Sequence, residues 1–211
     1  MIQKRTVIMI GVVAVVLFAI TLVFGTFAYG ITRKHWEGPA TRTFARLVSF
    51  PAGRVGSHTA LYTDFLAQTD AQAIYLKTED AKSRHLPSEV NDQTRKAAFD
   101  QIMQIATLDQ LAEENQVSIT PLDVDRAFSD FEANAGTSTQ PGEIDDFLKH
   151  SFGWTRDDFK RYFIRPGVLS QALRAKMSGT TEDQKSQALQ KALDERMTKP
   201  DVKKYLILPE T

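Results

Sequence analysis

Apolar and polar positions alternate at helical spacing over most of this chain, and the densest pattern lies between Ala97 and Phe131. Phe99, Ile102, Met103 and Ala106 recur on one helical face, and Ile105, Leu108, Leu111 and Ala112 widen that stripe beyond what one surface could cover. The pattern predicts a long helix packed on more than one side, the element around which the rest is organised. The connector Asn115 to Ser118 ends it, and Ile119-Thr120-Pro121-Leu122-Asp123-Val124 opens the next helix. Thr120 accepts a bond from an orphan N–H, Pro121 loses nothing at the first helical position, and Asp123 complements the dipole. Ile119 and Val124 form the pair of a hydrophobic staple.

The flanking segments read in the same way. Leu47 to Tyr62 carries Val48, Phe50 and Val55, then Ala60, Leu61 and Tyr62, around the small residues Gly53, Gly56 and Ser57. Gly56-Ser57 suits a two-residue turn whose first position needs a positive φ, so a short hairpin or bent extended segment is expected. Thr63 and Asp64 start a helix with Phe65, Leu66, Ala73 and Leu76 on its apolar side, ending by Glu79. Asp80 to Asn91 is a polar loop that offers Ser88 or Asn91 as the cap of the organising helix. Ala133 to Gly142, rich in Gly, Ser, Thr and Pro, separates the second helix from a third at about Glu143 to Ser151, with Ile144, Phe147 and Leu148 inward.

Phe152-Gly153-Trp154-Thr155 is the sharpest punctuation in the sequence. Gly153 takes the left-handed conformation past a helix end, Thr155 caps the next helix, and Trp154 with Phe159 makes a staple. Phe159, Tyr162, Phe163, Val168, Leu169, Ala172 and Leu173 follow at helical spacing, and Pro166-Gly167 is expected to kink or divide that helix. Thr181 to Gln184 is a capping box for a last, amphipathic helix reaching about Met197. Tyr205 to Leu208 is a short apolar run that pairs as an edge strand or docks on a helix.

One stretch stands outside this pattern. Val7 to Ile31 contains no charged residue, long enough to cross a hydrocarbon core of roughly 30 Å as a helix and too long for a cleaved signal. The expectation is a transmembrane signal anchor at 7–31 after an N-terminal tail at 1–6, followed by a polar, aperiodic juxtamembrane linker from Thr32 to Arg46. Lys4 and Arg5 face Arg33, Lys34, Arg42 and Arg46 across the span, so the basic residues leave its orientation open. Of 26 basic and 26 acidic residues, setting aside Lys4 and Arg5 leaves 24 basic residues beyond the span. No broad basic footprint for nucleic acid is expected from that balance. The sequence has no cysteine, which excludes disulfides and thiolate chemistry.

Catalytic and metal-binding patterns are weak. Asp145-Asp146, Asp157-Asp158 and Asp123 with Asp125 sit in first turns as dipole partners and lack the spacing of a calcium loop. No Gly-x-Ser-x-Gly, His-Glu-x-x-His, P-loop or Gly-x-Gly-x-x-Gly pattern occurs. No cofactor and no metal are expected.

The order of these motifs resembles the N-terminal domain of the SurA family of extracytoplasmic chaperones and foldases. The resemblance is carried by Phe50 to Ser57 with Tyr62-Thr63-Asp64-Phe65-Leu66, by the long helix, by Ile119 to Val124 as an Ile-Thr-Pro-x-x-Val helix start, and by Gly153 to Phe159 as the Gly-Trp-Thr junction. It covers about Phe50 to Met177. Where the family has Val-Asn-Gly in the turn, this protein has Val55-Gly56-Ser57, and only 34 residues follow Met177, fewer than the parvulin isomerase domain that SurA-like foldases carry. The four histidines, His35, His58, His85 and His150, are scattered, and no isomerase activity is expected.

The fold expected is mainly α: a transmembrane helix, then a SurA-N-like helical domain at 47–178 of about five or six helices with a small extended element, and a C-terminal amphipathic helix and tail at 179–211. The resemblance implies binding of unfolded or nascent secreted and envelope polypeptides, without ATP, on an apolar helical surface outside the cytoplasm. Trp154, Phe159, Tyr162 and Phe163 are the residues expected to line that surface, against the alternative that they are ordinary core. A dedicated assembly module with one specific partner, and an isomerase whose catalytic domain comes from another polypeptide, are the other readings.

Overall fold

A computed structural model describes residues 2–134 and 142–209, with side chains described from residue 17 onward. In sequence order the elements are α1 (Ile2–Lys34), α2 (Pro39–Leu47), β1 (Pro51–Val55), β2 (His58–Leu61), α3 (Tyr62–Tyr75), α4 (Glu79–Ser83), α5 (Asp92–Glu114), α6 (Pro121–Asn134) and α7 (Glu143–Phe152). There follow α8, which runs through Arg156–Phe159, Lys160–Ile164 and Arg165–Lys176, then α9 (Glu182–Met197) and β3 (Val202–Lys204). The expected break between Ala133 and Gly142 falls mostly on 135–141, outside the described residues.

α5 is the organising helix, and two cores form along its length. Its first half places Ala98, Phe99, Ile102, Met103 and Ala106 against the sheet, the start of α3 and the end of α1, with Ile31, Tyr62 and Phe65 fully buried there. Its second half packs Leu108, Leu111 and Ala112 against Leu169 and Leu173 of α8 and Leu189 and Leu193 of α9. A third cluster, Phe128, Leu148, Phe159 and Ile164, joins α6, α7 and α8 without α5. Asn91 starts α5 with a reciprocal capping box to Thr94, and Thr181 and Gln184 cap α9 in the same way.

The hairpin is closed by Gly56 at φ +57°, a conformation that glycine adopts without the strain of a Cβ. Gln110 of α5 accepts from the Ser57 N–H at 2.8 Å and fixes the turn to the helix. The sheet is antiparallel with order β2-β1-β3, and Arg196 ties its far end to α5. That guanidinium is 2% exposed, makes a two-bond fork to Asp201 at 2.8 Å and donates from Nε to Glu114 at 2.8 Å. The C-terminal segment therefore completes both the sheet and the second core, and Leu206 is buried in the first core.

Three expectations are corrected. Thr32 to Arg46 is no aperiodic tether: α1 continues to Lys34, and α2 occupies 39–47 with Phe44 stacked on Phe27 at 4.6 Å. Phe147, expected inward, is 55% exposed, because only Leu148 of that turn reaches the third core. The kink expected at Pro166-Gly167 is a widened turn one step earlier. The proline ring has no room beside the carbonyl four residues back in α geometry, and the helix opens to a π turn over Lys160–Ile164, with the Arg165 N–H on the Lys160 carbonyl.

Among the described residues no helix is long and apolar enough to cross a membrane. The span expected from Val7 to Ile31 lies partly outside them, since the side chains before Leu17 are not described.

Candidate functional site

The third core leaves an open seam against α3. Its walls are Gln68, Ala71, Gln72 and Tyr75 of α3, Gln101 of α5, Phe131 of α6, Phe147 and Phe152 of α7, Trp154 of the junction, and Phe159 and Phe163 of α8. The groove holds about 480 Å³, and among the described residues no charged one lines it.

Local sequence builds the aromatic wall. Gly153, at φ +68°, ends α7, and the Trp154 N–H reverses onto the Leu148 carbonyl at 3.2 Å. Thr155 and Asp158 then cap α8 reciprocally. This tight reversal stacks Phe152 on Trp154 at 5.3 Å between centroids and sets Trp154 6.5 Å from Phe159. Phe163 stacks on Phe159 at 5.0 Å and remains 57% exposed, while Tyr75 stacks on Phe152 at 5.8 Å. Large rings face solvent here as a continuous surface, which a folded protein seldom leaves open without a use.

Three polar atoms of its lining residues lie within the wall with no hydrogen-bond partner among the described residues. Gln68 Nε2, Gln72 Oε1 and Trp154 Nε1 are buried and lack hydrogen-bond partners. Gln68 is only 2% exposed, so its amide sits deep in the wall. Buried polar groups are paired in the great majority of cases, and an unpaired one costs about 1–3 kcal/mol. Two of the three are donors and one is an acceptor.

Three of the four residues expected to form the binding surface, Trp154, Phe159 and Phe163, are brought together here. They divide by role: Phe159 is mostly core, Trp154 is half-buried, and Phe163 presents its ring. Tyr162 does not join them. Its ring packs behind Trp154, 5.7 Å between centroids, and does not line the groove; its hydroxyl donates to Asp64 at 2.9 Å. Burial, with the Asp64 carboxylate beside it, pushes its ionisation well above the ordinary tyrosine range, so it stays a neutral donor.

Sequence reasoning missed Gln68, Gln72 and Tyr75. Their i, i+4, i+7 spacing places one polar stripe beside the apolar face of α3, a signal legible only once that face is known to be covered. Among the described residues no group of three or more acidic or histidine side chains is placed to hold a metal ion. His58 Nε2 lies 3.0 Å from Glu113, His35 bonds the Ile207 carbonyl and His150 bonds the Asp146 carbonyl, each at a separate place in the fold.

Comparisons with protein-family models, with curated proteins and with solved structures give no match.

Proposed function

We propose that this protein is a membrane-anchored, ATP-independent chaperone of the holdase type that takes up unfolded polypeptide segments in the aromatic groove between α3 and α6–α8. The observation that carries this reading is the coincidence of exposed rings with three unpaired buried polar atoms in one uncharged groove. Aromatic walls accept many apolar side chains, and two donors with one acceptor match the backbone carbonyl and N–H groups that every polypeptide carries. The motif order shared with the SurA N-terminal domain supports the same reading, with the domain outside the cytoplasm. Uptake of this kind involves no bond-making step and no cofactor.

Anchorage at Val7 to Ile31 is part of the proposal. Every described side chain from Leu17 to Thr26 is exposed, and the hydroxyls of Thr21 and Thr26 donate back to the Leu17 and Leu22 carbonyls at 2.9 and 2.8 Å. That internal pairing suits a helix with lipid around it. The protein is expected to stay with the membrane pellet after alkaline carbonate extraction, and release into the supernatant would contradict the anchor.

The test of function is suppression of aggregation of two unrelated unfolding proteins by the full-length protein, alongside Phe147→Ser/Phe163→Ser. The parent is expected to suppress at near-stoichiometric ratios and the double variant to fail while keeping its helical content. No suppression by the parent would overturn the general chaperone reading. A second reading, one dedicated partner, is favoured by the fixed places of the three polar atoms, which impose a register. It predicts a single stoichiometric partner that protects Trp154, with no effect on general clients.

A further inference from the structure

We propose that the outer edge of β2 captures an extended, uncharged polypeptide segment as a fourth strand of the sheet, at a site separate from the aromatic groove. In the order β2-β1-β3 one side of β2 has no strand beside it among the described residues. Val55 and His58 close the turn as a pair, so Thr59, opposite Arg54, lies in the alternate pair whose N–H and C=O point away from β1. Thr59 is exposed, and no backbone bond joins it to the helices around it.

The two edges of the sheet are treated differently. β3 is three residues long and carries Lys203 and Lys204, charges that keep another strand from adding there. β2 has no lysine, arginine or proline, and its first residue, His58, is already held by Glu113 at 3.0 Å. The strand opens instead onto a cleft of about 280 Å³ between β2 and α8, floored by Ile102 and Ile105 of α5. The cleft is dimensioned for a few residues of extended polypeptide with alternate side chains turned to that floor.

Charge selects the occupant. Arg161 and Arg165 border the cleft, and each is already held by a carboxylate, Asp64 and Asp109 respectively, at 2.7 Å. Each cation is matched by a carboxylate, so the rim carries no net charge to draw an acidic or a basic segment. A neutral strand with β-branched or other apolar residues on one face is what the cleft complements. Binding here is through the backbone and tolerates varied sequence, whereas the groove reads side-chain rings.

The test follows amide exchange of Thr59 by NMR in the full-length protein in mild detergent. The probe is a capped seven-residue peptide of alternating Val and Thr, and the control is the same peptide N-methylated at every residue, which blocks both edges. The probe is expected to slow Thr59 exchange at least tenfold and the control to leave it unchanged. Thr59→Pro, tolerated on an edge where the N–H faces out, is expected to weaken binding of the labelled probe at least tenfold while leaving Trp154 fluorescence responses to aromatic peptides intact. Unchanged Thr59 exchange, or equal protection by both peptides, overturns the proposal even if that variant fails to fold. Protection that rises with protein concentration and no peptide makes a second copy the occupant, and also overturns it. A peptide that perturbs Trp154 and not Thr59 sinks the edge site and leaves the groove standing.

Discussion

Replacing a nearly fully buried polar side chain usually destabilises a protein, yet Gln68→Met is expected to stabilise this one. Gln68 is 2% exposed and its Nε2 has no partner, so folding strips the amide of water and returns nothing, at a cost of about 1–3 kcal/mol. Methionine has nearly the same length and shape and no polar atom to desolvate. The variant should therefore gain about 1–2 kcal/mol, which in a domain of this size raises the midpoint of thermal unfolding by roughly 2–8 °C. Under the proposed function the same substitution removes a donor that a bound polypeptide would use, so affinity for a labelled unfolded client peptide should fall by about five- to thirtyfold. Circular dichroism melts and fluorescence anisotropy read the two effects, which carry opposite signs. A variant that melts several degrees below the parent refutes the reasoning, because the amide then supports the fold and does not await a ligand.

Other outcomes follow from the packing and the charges. Phe99→Asp and Leu108→Asp each place a carboxylate without a partner in a core of α5; each should cost more than about 4 kcal/mol and abolish the cooperative melt. Gly153→Ala puts a Cβ at φ +68° and against the Ile74 side chain, so a loss of at least about 1–2 kcal/mol is expected in the same assay, and an unchanged midpoint would contradict the tight junction. Arg196 holds the Asp201 carboxyl below its ordinary range, and the Ser57 hydroxyl, then His58, do the same for Glu113. Both lowered values mean that the stability they lend is complete above the ordinary carboxylate range, and is lost as pH falls from about 5 through and below their folded values. Asp201→Asn should flatten that acid limb, seen as a smaller drop in unfolding midpoint between neutral and acid buffer.

Elements announced by their own periodicity or caps were legible in the sequence. α5, the Gly56 turn, the Thr120, Thr155 and Thr181 helix starts and the Gly153 reversal all carry local signals whose physics needs no partner. α2 was not legible, because its ordering comes from Phe44 docking on Phe24 and Phe27 of α1, a contact between segments with no shared pattern. The same is true of Arg196, a single basic residue on a polar helix whose burial depends on Glu114 and Asp201. In the groove, the ring residues near the junction could be read from sequence and the three polar atoms could not. Whether Gln68 is bonded depends on what α7 and α8 bring opposite it, and periodicity carries no information about that. Tyr162 stands between these cases: its ring packs behind Trp154 at 5.7 Å, and its hydroxyl bond to Asp64, a residue 98 positions away in sequence, could not be read from helical spacing.

The central claim is that unfolded polypeptide enters the groove beside Trp154. Photo-crosslinking from a benzoylphenylalanine placed at Phe147 or Phe163, with the same probe at exposed Leu122 as control, tests it most directly in the full-length protein with an unfolding client. Client adducts from positions 147 and 163 and few from 122 are the expected result. Equal yields at all three positions, or adducts from 122 alone, would contradict it.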